Sequence, residues 1–147
     1  MAGLIATEYS EALFELAVET QKVREYKEQL IDMSQVIREN DELRQVLYSP
    51  RISKEDKKSI LRQIFSYDAM VMNFVQLLVD RNHISIVSAI KDVFVTTAND
   101  YLNIEVAEVI SATELKGEDL KEIKALLEKK TGKEIEIVNK VEPENIA

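Results

Sequence analysis

Gly132-Lys133 has the residue types that close a phosphate-binding loop, in which backbone amides cradle the phosphates and a lysine reaches the outermost one. The glycine expected five positions earlier is absent, and Glu134 stands where a serine or threonine would hold magnesium; a helix cap is the better account. His83 is the single histidine and there is no cysteine, which removes thiol nucleophiles, disulfide frameworks and zinc patterns built on Cys or His. Lying between two helical stretches, His83 reads as a solvated turn residue and receives no ligand role. Glutamates are abundant, but paired catalytic carboxylates must converge in a cleft with separated pKa values, and here they recur along regular helix stripes. With no nucleophile, metal set or cofactor cradle in the inventory, no catalytic, cofactor-binding or metal site is assigned and an enzyme is not expected.

A chain of 147 residues fits one ordinary domain or two small ones and can bury enough apolar surface to fold without staples. Its net charge of -8 disfavours a diffuse surface for DNA, RNA or anionic lipid; protein partners are expected instead. No apolar run reaches the length needed to span a bilayer. The start Met-Ala-Gly-Leu-Ile-Ala-Thr-Glu-Tyr lacks the basic region of a secretory signal and the arginines of a transit peptide. The expected place is the cytosol, with attachment to any membrane supplied by other proteins.

The elements divide near residue 103. Before it the period is helical: Val23, Tyr26, Leu30, Met33 and Ile37 form the narrow seam of a helix packed on one side. Asn40-Asp41 can end that helix and cap a short one carrying Leu43, Val46 and Leu47, which Ser49-Pro50 stops. Ser53 can cap the next, with Glu55 and Asp56 in its positive first turn and Ile60, Leu61, Ile64 and Phe65 as its buried face. Asp68 is a cap for a fifth helix, Asn82-His83 marks its joint to a sixth, and from Ile86 a face of Val87, Ile90, Val93, Phe94, Thr97 and Tyr101 follows. Short connections favour antiparallel neighbours, hence a six-helix bundle over residues 1–103.

After Asn103 the period falls to about two. Ile104, Val106 and Ile110 alternate with Ala107 and Val109, a pattern suited to a strand covered on both faces. Glu118 and Asp119 open a helix with face Leu120, Ile123 and Leu127; Lys129 and Lys130 close it, and Gly132 sits where a left-handed cap is expected. Ile135, Ile137 and Val141 then read as a second strand. The fold class is mainly α, with a small strand-helix-strand α/β domain over 104–147 that two strands leave incomplete.

Two of the helices are too apolar for one buried face. Leu4 to Val18 confines Glu8, Glu11 and Glu15 to one stripe, continued by Glu19, and Ala69 to Arg81 carries an apolar arc of roughly 220° where one core-facing helix needs about 100°. Either both lie deep in the bundle, or they form a groove that receives another protein's helix. Arg51, Lys54, Lys57, Lys58 and Arg62 make a basic island beside an amino-terminal segment with ten acids and four bases up to residue 42. Such an island could meet an acidic partner or balance the molecule's own field, and the second is the simpler account.

Five stretches, in order, carry a likeness. Tyr9-Ser10-Glu11-Ala12-Leu13-Phe14-Glu15-Leu16-Ala17 resembles the first helix of the ATP synthase delta subunit family of bacteria, called the oligomycin-sensitivity-conferring protein in mitochondria. Leu47 to Ile52, Asn73 to Ile84, Val109 to Leu115, and Gly132 to Ile135 leading to Val141-Glu142-Pro143 follow with matching spacing. The resemblance implies a six-helix domain, a smaller mixed domain and no chemistry. The family's members are stator clamps of the peripheral stalk. They tie the alpha-beta catalytic head to the b subunits so that the head does not turn with the rotor, which places them on the cytoplasmic side of the cell membrane through the complex.

The resemblance also implies that the first and fifth helices accept the amino-terminal helix of an alpha subunit, burying on the order of 800 Å² per partner. Tyr9, Leu13, Phe14, Val75, Leu78 and Val79 are the pool expected to contain the contact residues. Glu8 and Ser10 depart from the family's basic residue and alanine, and Glu142 from its aspartate. Paired glycines and final strands expected after Ile146 are missing, so the chain reads as truncated. A contrasting reading is a helical RNA-binding antitermination adaptor, supported by the basic island alone.

Overall fold

The structure, a computed structural model, describes residues 2–143. Seven α-helices and two strands are present among them: α1 (Ala2–Glu19), α2 (Val23–Glu39), α3 (Asp41–Tyr48), α4 (Lys54–Ile64), α5 (Ala69–Asp80), a 3₁₀ turn (Ile84–Ile86), α6 (Val87–Leu102), β1 (Ile104–Ser111), α7 (Gly117–Thr131) and β2 (Glu134–Val141). The chain is mainly helical with a small parallel sheet. It divides inside α6 into two compact units, Met1–Ala98 and Asn99–Ala147, whereas the change of sequence period falls between Asn103 and Ile104.

In the first unit, local signals act where the sequence places them. The Asn40 side chain accepts from Leu43 N at 3.0 Å, Ser53 Oγ from Asp56 N at 3.1 Å and Asp68 Oδ1 from Met70 N at 2.9 Å, so α3, α4 and α5 each begin with one orphan amide satisfied. All five seam residues of α2 are buried. Helices α1 and α5 end alike. Gln21 and Asn82 take left-handed φ values of 59° and 58°, with Lys22 N donating to Ala17 O at 2.8 Å and His83 N to Leu78 O at 2.7 Å. This is the six-to-one closure of a Schellman cap.

Two sequence expectations need correction here. Ile64, assigned to the buried face of α4, is exposed; Leu61 and Phe65 fill the interior, and the helix ends before Ile64 is covered. The helix expected from Ile86 begins at Val87, because the preceding three residues close as a 3₁₀ turn after the joint at Asn82-His83.

In the second unit β1 and β2 pair in parallel, from Ile104 opposite Glu134 to Ser111 opposite Val141. Asn139 ties the far end: its amide nitrogen donates to Val109 O at 3.0 Å and Ser111 Oγ at 2.9 Å, and its oxygen accepts from Leu115 N at 3.0 Å. Gly132 closes α7 at φ +69° and donates to Glu128 O at 2.9 Å, the cap its sequence position predicts. The expectation of a sheet covered on both faces is corrected. Val106, Ile110 and Val138 share one face by register and each is about half exposed, while Ile135 on the opposite face is buried.

Candidate functional site

The relation between α1 and α5 is fixed at both ends. At one, Lys22 Nζ, just past the end of α1, donates to Oδ2 of Asp68, the N-cap of α5, at 2.7 Å. At the other, the Tyr9 hydroxyl and His83 Nδ1 are 2.7 Å apart, and Tyr9 stands edge-on to Phe74 with ring centroids 6.0 Å apart. The carboxy-terminal end of each helix is thus held against the other's amino-terminal part, and the two are antiparallel. The left-handed residue that ends each helix aims the next one, Lys22 or His83, at its neighbour.

This pairing sorts the wide apolar arcs. Their centres are interior: Ala6, Leu13 and Ala17 on α1, and Val71, Val75, Leu78 and Val79 on α5, are buried. The arcs' edges remain in reach of solvent. On α1 the line Ile5, Tyr9, Ala12 and Leu16 has helical spacing of four, three and four, with Leu16 37% exposed. On α5 the corresponding line is Met70, Phe74, Leu77 and Arg81, with Met70 and Leu77 exposed at 42% and 39% and Phe74 buried between them. The contact of Tyr9 with Phe74 joins the two lines. At one end they open into a cleft of about 340 Å³ lined by Ile5, Glu8, Tyr9, Arg81 and His83.

Of the six residues expected to contain the contact, the structure therefore encloses Leu13, Val75, Leu78 and Val79. Phe14 is half-buried on the opposite flank of α1, edge-on to Phe94 of α6 at 5.9 Å. Only Tyr9 stands where the two helices meet. Sequence reasoning took the middle of each arc; the signal that separates core from surface is position within the arc, since an over-wide arc buries its centre and leaves its rims. Ile5, Ala12, Leu16, Met70 and Leu77 lie on those rims, outside the expected set. His83, expected in solvent, is half-buried and bonded to Tyr9, a partner 74 positions away in sequence.

The electrostatics are local. Hydrogen bonds from the Lys22 ammonium, then from Met70 N, hold the Asp68 carboxyl below its ordinary pKa, and the same contact raises Lys22. Asp68 also accepts from the Tyr26 hydroxyl at 3.2 Å. Burial, and then its hydrogen bond to Asp32, raise the Tyr67 phenol. The basic island is mostly engaged inside the chain. Lys58 pairs with Asp80 at 2.6 Å, Lys54 Nζ donates to Asp80 O at 2.7 Å, Arg62 donates to Gln76 Oε1 at 3.1 Å, and Lys57 is buried. Three of these contacts tie α4 to α5, which is the self-balancing account and leaves the RNA-binding reading without its one support.

A family model described as ATP synthase delta (OSCP) subunit matches residues 5–147. The chain belongs to that family. Among similar proteins, the ATP synthase subunit delta of Desulforudis audaxviator (strain MP104C) is 34% identical over 146 residues, covering 98% of this chain and 80% of that protein. Its counterpart in Desulfitobacterium hafniense (strain Y51) is 35% identical, covering 99% and 83%, and that of Bacillus cereus (strain AH820) 34%, covering 98% and 81%. The fold resembles a chain in a cryo-EM structure of the Toxoplasma gondii mitochondrial ATP synthase hexamer, with TM-score 0.69 over 95% of this chain and 79% of that one at 22% identity. No helix among the described residues is long and apolar enough to cross a membrane.

Proposed function

We propose that this member of the family is a stator adaptor whose α1–α5 furrow receives the amino-terminal helix of an alpha subunit. A second attachment, to the b subunits, completes the link between catalytic head and membrane. The observation that carries this reading is the pair of apolar lines, Ile5-Tyr9-Ala12-Leu16 and Met70-Phe74-Leu77, joined by the edge contact of Tyr9 with Phe74. An amphipathic helix lying over them would cover apolar rims that the bundle itself leaves open. Both walls are pinned at their ends, by Lys22 with Asp68 and by Tyr9 with His83, so little ordering cost falls on binding. The chain then works by holding: it resists rotation of the head and performs no chemistry. Its place is the cytoplasmic side of the membrane, peripheral through its partners.

Calorimetric titration of the full chain with the amino-terminal peptide of its cognate alpha subunit tests this, with circular dichroism following the peptide. Saturable binding with a gain of helix is expected; absence of heat and of helix formation at high micromolar peptide overturns the reading.

A further inference from the structure

A separate cavity of about 300 Å³ lies in the first unit, lined by Leu47, Tyr48, Pro50, Lys57, Val79, Asn82, Ile84 and Ser85. Three features set it apart from an ordinary surface hollow. Lys57 is 9% exposed and sits one turn before the core residue Leu61, yet its ammonium has no hydrogen-bond or ion-pair partner among the described residues, and the side chains of Tyr48, Asn82 and Ser85 have none either. No carboxylate lines the space. The neighbouring Asp80 is engaged by Lys58 at 2.6 Å. Finally, Leu47, Val79 and Ile84 give the cavity an apolar lining and are all buried, which strengthens any charge interaction made against it.

Lys57 buries its stem and keeps its ammonium in reach of water, so the charge is presented to the cavity. Here the fold brings that cation together with a phenol, an amide and a hydroxyl from α3, the end of α5 and the 3₁₀ turn. Asn82, exposed and at the left-handed φ of 58° that ends α5, lies at the rim of the cavity. We propose that this pocket binds a tetrahedral oxyanion, inorganic phosphate or the phosphate of a small monoester, through Lys57, Tyr48, Asn82 and Ser85. Ammonium, phenol, amide and hydroxyl donors arriving from separate elements suit the several oxygens of a tetrahedral anion, and the volume lies at the small end of ligand pockets. Charge-assisted hydrogen bonds from Lys57 supply most of the attraction.

Backbone amide NMR of the full chain, titrated with sodium phosphate against sodium chloride at matched ionic strength, tests the assignment. Saturable shifts at Tyr48, Asn82 and Ser85 are expected with phosphate only, and Lys57→Gln weakens the affinity roughly tenfold or more. Because Lys57 is buried, Tyr48→Phe serves as the second variant: its ring is exposed, the fold persists, and affinity drops severalfold. Glycerol phosphate shifting the same residues identifies a monoester as ligand, and its exclusion identifies inorganic phosphate. Shifts linear in phosphate and equal to those of chloride, unchanged affinity in both variants, or acetate displacing phosphate at equal concentration would each overturn the proposal.

Discussion

Lys22 and Asp68, 46 positions apart in sequence, meet at 2.7 Å and so bind the end of α1 to the start of α5. Asp68 has three duties there: it caps α5, accepts from Lys22 and accepts from Tyr26. Asp68→Ala is expected to cost more than the roughly 1 kcal/mol of a lost cap, because the buried Tyr26 hydroxyl loses its acceptor as well. Lys22→Met, at a solvent-screened position, costs less. Urea unfolding of both variants checks the order.

The same carboxylate gives a pH signature. Its pKa is depressed in the folded chain, so its stabilisation is fully present above the unfolded aspartate value of about 3.9 and fades as pH falls through the lower folded value. Asp68→Asn keeps a capping oxygen but no charge. The stability gap between wild type and this variant, measured by urea melts, is expected to be constant near neutrality and to close as pH falls below the unfolded aspartate value of about 3.9; a gap that widens in acid would contradict the assignment.

Core and rim residues of α1 and α5 should separate cleanly. Leu13→Ala and Leu78→Ala remove fully buried side chains and are expected to destabilise by about 2–5 kcal/mol. Leu16→Glu and Leu77→Glu, on exposed rims, are expected to shift stability by only about 0.5 kcal/mol while abolishing binding of an alpha-subunit helix. Thermal melts paired with peptide titration read both effects.

Backbone handedness makes a third contrast. Gln21 occupies the left-handed region at φ 59°, where a side chain is strained, so Gln21→Gly is expected to stabilise by about 0.5–1 kcal/mol. Gly132→Ala at φ +69° is expected to destabilise by about 1 kcal/mol. Melting temperatures that moved in the opposite directions would refute this account of the caps.

What the sequence reveals in this protein is what is determined locally. Asn40, Ser53, Asp68 and Gly132 cap the helices their positions predict, since a cap satisfies amides or carbonyls only a few residues away. The seam of α2 is equally plain because it packs on one side. Partners distant in sequence stayed hidden: nothing near His83 announces Tyr9, and nothing near Lys57 announces that α3 and the turn after α5 will cover it. That four of the six contact candidates, Leu13, Val75, Leu78 and Val79, lie in the core stayed hidden for a related reason. A wheel gives the width of an apolar arc, but which part of it faces the core depends on where the neighbouring helices lie. The uncovered sheet face has the same origin, since alternation of apolar residues shows that both faces could be covered and not that both are.

The central claim is that the furrow between α1 and α5 is where a partner helix lies. Amide NMR of the full chain with the amino-terminal peptide of its alpha subunit locates the contact directly. Perturbations concentrated at Ile5, Tyr9, Ala12, Leu16, Met70 and Leu77, and lost in Leu77→Glu, are the predicted result. Saturable binding whose perturbations fall instead on the exposed faces of α2 and α3, unaffected by Leu77→Glu, would contradict it.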